Sequence, residues 1–246
     1  RVFINIGTDG TVKLVGTTQQ DVGGTSWTDF ENLTLNNAAG ARMTTDTNRV
    51  NGTLSLTNGA LVLNSNTLIE NNTATSSVTR TSGYLVSETT DGASRLRWNI
   101  GTGTGIYVVP FFSTTGSVLI PFTFNVTSGG TVSSTGAVTT ATYPTANDNT
   151  PYANYPSTVT NMDPDPLYVV DRFYLMNYGG YSANPTSTLT ISYDPATYSL
   201  TISKSGSIAT IGSLIAFRAR KTIPETGLSS IDYDFITPIV DYNDGL

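Results

Sequence analysis

The residues best able to do chemistry in this sequence are acidic and aromatic, because its 246 residues include no histidine and no cysteine. Histidine is the commonest general base and transition-metal ligand, and cysteine is the source of thiolate nucleophiles and disulfides. Serine–histidine–aspartate, cysteine–histidine and thiolate-zinc arrangements are therefore impossible within these residues. What remains is carboxylate chemistry and recognition through aromatic rings.

Closely spaced carboxylates occur in a proline-rich segment, at Asp163 and Asp165, with Asp171 a few residues further on. Acidic residues in a loop can bind calcium, which takes roughly six to eight oxygen ligands. The alternative is a structural turn, in which proline sets φ and aspartate bonds its own backbone. Because no EF-hand or nonapeptide spacing is present, calcium is kept as a candidate cofactor, and the default expectation is no cofactor.

A second acidic set lies near the end of the sequence, where Asp232 and Asp234 fall on one face of an extended segment. Glycoside hydrolysis uses two carboxyl groups roughly 5–9 Å apart. Here, however, the acidic residues alternate with Ile231, Tyr233 and Phe235, which is typical of the solvated face of an amphipathic strand. We expect no catalytic residues and no enzymatic activity; a β-helical polysaccharide-active enzyme is the least favoured alternative.

Tyrosine is abundant, with 13 in the chain, and several tyrosines fall in segments rich in turn residues. Exposed aromatic rings stack on sugars and anchor protein interfaces. The competing interpretation is that they pack on a sheet with a wet hydroxyl group. The aromatic residues proposed for ligand binding are Tyr152, Tyr155, Tyr178 and Tyr181, with Trp27 and Trp98 as further sugar-binding candidates.

Charge is sparse: charged residues make up 12% of the chain, and the formal net charge is −6. A typical soluble domain has about 25% charged residues. Nucleic-acid binding requires a basic face, so we expect none. Because no apolar run approaches the roughly 20 residues of a membrane-spanning helix, we expect no transmembrane segment.

The elements that position these residues are predicted to be strands. Leu54, Leu61 and Leu68 are seven residues apart, and Leu56 and Leu63 repeat the spacing. Leucines two residues apart lie about 200° apart on a helix, so a helix is a poor alternative. The pattern predicts a short β-solenoid or β-roll with buried leucines and with Asn64 and Asn66 at corners, the alternative being a plain β-meander.

Later segments alternate apolar and polar residues over short runs, which indicates a β-sandwich. We therefore predict an all-β fold with a solenoid-like part at 1–142, a Pro/Asn/Asp-rich loop or linker at 143–166 and a sandwich-like part at 167–246. Pro110 and Pro121 are each predicted to mark an edge, a bulge or a strand end, because proline cannot donate to a ladder.

The first residues form an apolar alternation, Val2, Ile4 and Ile6, with no charge between Arg1 and Asp9. Natural proteins usually protect strand edges with lysine, proline or bulges. A self-assembly role is therefore predicted for these three residues. Pairing of each terminal strand within its own sheet is the alternative.

Several stretches carry a family resemblance: FENLTLNN to NTLIE at 30–70, GYLVSE at 83–88, RLRWNIGTGTGIYVVPF at 95–111 and DRFYLMNYGGY at 171–181. They resemble large extracellular proteins of Bacteroidota that are type IX secretion substrates. The last six residues are similar to the junction before a type IX sorting domain, and that domain is absent from the sequence. The resemblance implies export to the cell surface or the extracellular space.

Together these observations predict a secreted, non-enzymatic structural or adhesive protein of the cell surface. Self-association is the expected partnership, as in a subunit of a filament or layer. The alternative is a carbohydrate-binding module that uses loop aromatics, with a surface polysaccharide as its partner.

Overall fold

The computed structural model describes residues 10–89, 93–114, 116–144 and 172–194, and the backbone of three further strands between 198 and 243. All regular structure in this part of the chain is β-strand, with no helix. It accordingly contains no helix long and apolar enough to cross a membrane. The predicted all-β fold is confirmed.

Twelve short strands form four turns of a β-solenoid, with three strands in each turn. The first turn consists of β1 (Thr11–Val15), β2 (Gln20–Val22) and β3 (Asp29–Phe30). The second consists of β4 (Asn32–Asn36), β5 (Ala41–Met43) and β6 (Asn48–Val50). The third consists of β7 (Leu54–Asn58), β8 (Ala60–Val62) and β9 (Thr67–Glu70). The fourth consists of β10 (Val78–Arg80), β11 (Tyr84–Val86) and β12 (Arg95–Trp98).

Corresponding strands of successive turns pair in parallel and build three sheets. Sheet A contains β1, β4, β7 and β10; sheet B contains β2, β5, β8 and β11; sheet C begins with β3, β6, β9 and β12. Thr11 pairs with Asn32 and Leu33 with Leu54, so a regular turn takes 21 residues. The solenoid prediction is therefore confirmed.

The seven-residue leucine spacing corresponds to one side of this three-sided turn. Leu54 lies in sheet A, Leu61 in sheet B and Leu68 in sheet C, and each is at most 1% exposed. Leu56 and Leu63 are equally buried. Burial of a leucine side chain stabilises the fold by about 1.5–3 kcal/mol, so these five residues form a large part of the solenoid core.

Asparagines mark the corners between sheets, as predicted for Asn64 and Asn66. Asn64 adopts a positive φ of 52°, a conformation that asparagine tolerates better than most residues. Its Nδ2 donates to the carbonyl of Met43 at 2.9 Å, which ties one turn to the turn before it. Buried Asn37 does the same at another corner, where its Nδ2 donates to the carbonyl of Thr18 at 2.8 Å.

Beyond β12 the pairing changes from parallel to antiparallel. The remaining strands are β13 (Gly105–Val109), β14 (Phe112–Ser113), β15 (Val118–Leu119), β16 (Phe122–Ser128), β17 (Thr131–Pro144), β18 (Arg172–Ala183), β19 (Thr186–Asp194), β20 (Tyr198–Ile202), β21 (Ser213–Phe217) and β22 (Tyr242–Asn243). Sheet C continues from β12 through β17, β18, β21 and β22, while sheet D has the order β13, β16, β19, β20. Of the predicted alternatives of an edge, a bulge or a strand end, the structure shows the last: Pro110 directly follows β13 and Pro121 directly precedes β16.

Sheets C and D form a sandwich with an aromatic core. Trp98 of sheet C contacts Tyr107 and Phe124 of sheet D edge-on, with ring centroids 5.0 and 6.4 Å apart. Tyr107 stacks on Phe124 at 5.0 Å, and Phe122 stacks on Tyr174 at 6.4 Å. The solenoid and the sandwich therefore share one sheet and one continuous core.

The change in architecture falls earlier than the sequence suggested. Parallel pairing ends with β12 at Trp98, and antiparallel strands occupy residues 105–142, which were assigned to the solenoid-like part. These strands alternate apolar and polar residues as solenoid strands do, so their pattern does not distinguish parallel from antiparallel partners. Of the linker predicted at 143–166, residues 143 and 144 belong to β17 and the rest lies outside the described residues.

Candidate functional site

Several predicted site residues lie outside the described part of the chain. They are the calcium candidates Asp163, Asp165 and Asp171, the tyrosines Tyr152 and Tyr155, the self-assembly residues Val2, Ile4 and Ile6, and the acidic pair Asp232 and Asp234. Among the described residues, no three His, Cys, Asp or Glu side chains come together as metal ligands. Calcium binding and the role of the first residues stay predictions.

Tyr178 and Tyr181, proposed as exposed binding residues, are core residues instead. They are 5% and 2% exposed, and their rings meet edge-on with centroids 6.1 Å apart. The hydroxyl groups of Tyr178 and Ser187 are 2.5 Å apart, and Tyr181 donates to the carbonyl of Gly101 at 2.6 Å. Burial raises the pKa of both phenols. Neither ring offers a face to a ligand.

Trp98 is likewise unavailable as a sugar-binding platform, because it is 1% exposed. Its indole Nε1 donates to the carbonyl of Asn72 at 2.9 Å, and the hydroxyl of Tyr107 donates to the carbonyl of Thr73 at 3.0 Å. Both residues thus fix the loop after β9 against the sandwich. Their role is to join the two parts of the fold.

Trp27 is the exposed tryptophan, with half of its surface accessible. It precedes β3 at the corner that leads into sheet C. The guanidinium carbon of Arg49 lies 4.2 Å from the centroid of its ring. Arg49 Nη1 also lies 3.6 Å from a carboxylate oxygen of Asp29. The three side chains form a cluster, called here the Trp27 cluster, on the outer face of sheet C.

The loop that carries Trp27 is anchored at both ends to the next turn of the solenoid. The backbone N–H of Gly24 donates to Thr45 Oγ1 at 2.7 Å, and Thr45 Oγ1 donates back to the carbonyl of Gly24 at 2.9 Å. The N–H of Thr28 donates to Oδ1 of buried Asn48 at 2.9 Å. The ring is therefore presented from a fixed loop.

A ladder of side-chain amides extends along the same outer face of sheet C. Nδ2 of Asn71 donates to Oδ1 of Asn51, and Nδ2 of Asn99 donates to Oδ1 of Asn71, both at 2.6 Å. Nε of Arg97 donates to Oδ1 of Asn99 at 3.1 Å and ends the ladder. This face combines an aromatic ring, charged groups and ordered amides.

The outer face of sheet A has a different character. A row of side chains crosses its four strands in register, formed by Lys13, Thr34, Ser55 and Thr79. The hydroxyl of Thr79 donates to that of Ser55 at 3.2 Å. The row offers short hydroxyl groups and one cation, without an aromatic ring.

Of the Trp27 cluster, sequence reasoning named only the tryptophan. Asp29 and Arg49 meet because they are paired across β3 and β6, 20 residues apart. Asp21 and Arg42, 21 residues apart, form an equivalent pair on sheet B at 2.9 Å. The length of one turn is the signal that would have found both pairs.

Comparison of the chain with protein-family models, with curated proteins and with solved structures found no match.

Proposed function

We propose that this protein is a non-enzymatic structural or adhesive component of the cell surface that self-associates through the first turn of its solenoid. The supporting observation is that β1, β2 and β3 each end a sheet among the described strands. A solenoid end exposes unpaired backbone groups unless it is capped, and such edges bind further strands. The extracellular location rests on the resemblance to type IX secretion substrates.

The backbone of β1 shows which groups are available for pairing. The N–H of Asn32 in β4 donates to the carbonyl of Gly10, so residue 10 bonds toward the neighbouring turn. Along a strand, the backbone N–H and C=O groups of successive residues point alternately to its two sides. Those of residues 12 and 14 therefore also point toward β4. The N–H and C=O groups of Thr11, Lys13 and Val15 point away from β4, toward the edge at which no other described strand pairs, and there a strand of a second copy would find donors and acceptors.

The aspartates of β2 and β3 are paired with arginines of the second turn. Asp21 of β2 is paired with Arg42, and Asp29 of β3 lies beside Arg49. Lys13 of β1 is the charge that protects the edge of sheet A, since lysine on an edge strand disfavours intermolecular pairing. Because Asp21 and Asp29 each lie beside an arginine of the second turn, they contribute less electrostatic repulsion between two copies of the chain.

The strand edges at the opposite end of the solenoid are less available for pairing with a second copy. β17 continues sheet C beyond β12, and Leu85 of β11 forms a bridge with Phe111. Among the described strands, β10 ends sheet A and β11 ends sheet B at that side, and the edge of β11 is bonded to the segment around Phe111, where the N–H of Leu85 donates to the carbonyl of Pro110 at 2.9 Å. Association through the first turn is therefore favoured over end-to-end stacking of whole solenoids.

Two substitutions of one residue test the proposal. Lys13→Pro removes an outward N–H without breaking the β1–β4 ladder, because proline is tolerated where the N–H faces away from the sheet. Lys13→Thr keeps the N–H and removes the charge. We expect the native protein to show a concentration-dependent increase in mass by sedimentation velocity, abolished by Lys13→Pro and strengthened by Lys13→Thr.

Thr11→Pro repeats the test at a second outward N–H, and circular dichroism confirms that each variant is folded. A native protein that stays monomeric up to millimolar concentration contradicts the proposal. So does association that Lys13→Pro and Thr11→Pro both leave intact.

A further inference from the structure

We propose that the Trp27 cluster is a saccharide-binding site, in which a neutral pyranose ring stacks on the indole while Asp29 and Arg49 bond its hydroxyl groups. This inference goes beyond self-association, and it concerns the outer face of sheet C instead of the strand edge.

The ring of Trp27 is accessible to a ligand. Arg49 covers one face of Trp27 at 4.2 Å, yet the residue remains 50% exposed. Because the guanidinium lies over one face, we infer that the exposed surface includes the opposite face and the ring edges. The C–H groups on one face of a pyranose are apolar and partly positive, and they pack on the negative face of an indole as a cation does.

The ring is also held in place before any ligand binds. The hydrogen bonds at Gly24 and Thr28 hold both ends of the loop, and the N–H of Arg49 donates to the carbonyl of Thr28 at 2.9 Å. The stacked guanidinium restricts the ring itself. A fixed ring loses little conformational entropy when a ligand binds, so more of the stacking energy contributes to affinity.

Polar groups that can bond sugar hydroxyls lie beside the ring. The side chain of Asp29 is 43% exposed and that of Arg49 33% exposed, and their contact of 3.6 Å is longer than a hydrogen bond. The carboxylate keeps lone pairs for sugar hydroxyl donors, and the guanidinium keeps N–H groups for sugar oxygens. A stacking face flanked by a donor and an acceptor suits an uncharged polyhydroxyl ligand.

The surroundings favour a sugar over a protein partner. Protein interfaces are centred on apolar clusters, whereas Thr25, Ser26 and Thr28 surround Trp27 in sequence. The other large exposed hydrophobic residues among the described ones, Val15, Ile106, Val108 and Val132, belong to strands of sheet A, sheet D or the sandwich part of sheet C. An isolated aromatic ring among polar groups fits a single sugar ring.

The two tryptophans make a direct test available. Trp98 is buried, so quenching of tryptophan fluorescence by acrylamide reports mainly on Trp27. The probes are the neutral hexasaccharides of cellulose, xylan, laminarin, mannan and chitin. We expect at least one of them to protect Trp27 from acrylamide, with saturation at micromolar to millimolar concentration.

Isothermal titration calorimetry with the protecting hexasaccharide then tests which side chains contribute to its binding. We expect Trp27→Ala to weaken binding by more than roughly tenfold, Trp27→Phe to retain part of the affinity and Asp29→Asn to weaken it several-fold. Val15→Ala, which shortens another exposed apolar side chain, is the matched control and should leave affinity unchanged. Lys13→Pro should also bind normally, so failure of self-association and failure of saccharide binding are distinguishable.

The inference is overturned if none of the five hexasaccharides protects Trp27 at millimolar concentration. It is equally overturned if folded Trp27→Ala binds the protecting saccharide as well as the native protein does.

Discussion

Glu70 of β9 and Trp98 of β12 occupy paired positions on adjacent strands, and both side chains are buried inside the fold. Across sheet C, Phe30 and Val50 pair in register with them and also point inward. The carboxyl group of Glu70 therefore interrupts an otherwise apolar row. Burial raises the pKa of Glu70 to about 8, although the N–H of Asn72, which donates to Oε1 at 3.0 Å, lowers it in part.

The free energy of unfolding should therefore fall as the pH rises from 4.5 to about 8. The folded state holds the proton of Glu70 up to about pH 8, whereas the unfolded state releases it near the ordinary glutamate pKa of 4.5. The contribution of protonated Glu70 to the free energy of unfolding is thus fully present below pH 4.5 and is lost progressively up to about pH 8. We expect Glu70→Gln to raise the free energy of unfolding at pH 8 by roughly 2–4 kcal/mol and to flatten this pH dependence.

Urea denaturation at pH 5, 7 and 8.5 measures the effect. Glu31→Gln, which changes an exposed carboxylate, is the control and should alter stability at neutral pH by no more than about 0.5 kcal/mol. A Glu70→Gln variant less stable than the native protein at pH 8.5 would show that the carboxylate is better accommodated than its burial implies.

The amide ladder should contribute measurably to stability. Asn71→Ala removes the hydrogen bonds to both Asn51 and Asn99, and each such bond is worth about 1 kcal/mol. We expect a loss of roughly 1–2 kcal/mol in chemical denaturation. Asn36→Ala, at an exposed position of β4, is the matched control and should cost about 0.5 kcal/mol or less. Equal effects of the two substitutions would contradict a stabilising ladder.

Gly59, between β7 and β8, should not tolerate a side chain. Its φ is +90°, and a Cβ atom there would lie 1.9 Å from the carbonyl oxygen of Asn37 in the preceding turn. We expect Gly59→Ala to destabilise the fold by more than about 3 kcal/mol, because both the conformation and the close approach of two turns oppose it. Gly24→Ala, with no atom within 4 Å of its added Cβ, is the control and should be nearly neutral in thermal unfolding. A folded Gly59→Ala protein of native melting temperature would be evidence against this corner geometry.

The solenoid could be predicted because its turns repeat a local pattern. Leu54, Leu61 and Leu68 recur at the length of one side of a turn, and asparagines fall between them at the corners. Neither signal depends on distant parts of the chain. For this reason the buried leucines and the corner position of Asn64 were predicted correctly.

Long-range pairing could not be predicted in the same way. Strand β12 pairs with β9 on one side and with β17 on the other, about 40 residues later, and its alternating residues are compatible with either partner. Tyr178 and Tyr181 are another instance, since their neighbours Gly179 and Gly180 resemble a loop. Long strand β18 instead carries both rings into the core.

The continuity of sheet C makes the solenoid an adjustable spacer. Parallel strands are about 4.8 Å apart, so every additional turn of 21 residues would carry the Trp27 cluster about 4.8 Å further from the sandwich. Because a turn contacts only its neighbours, duplication of one repeat would leave both the sandwich and the cluster intact. The reach of the molecule can therefore be set by copy number alone, in steps the width of one strand.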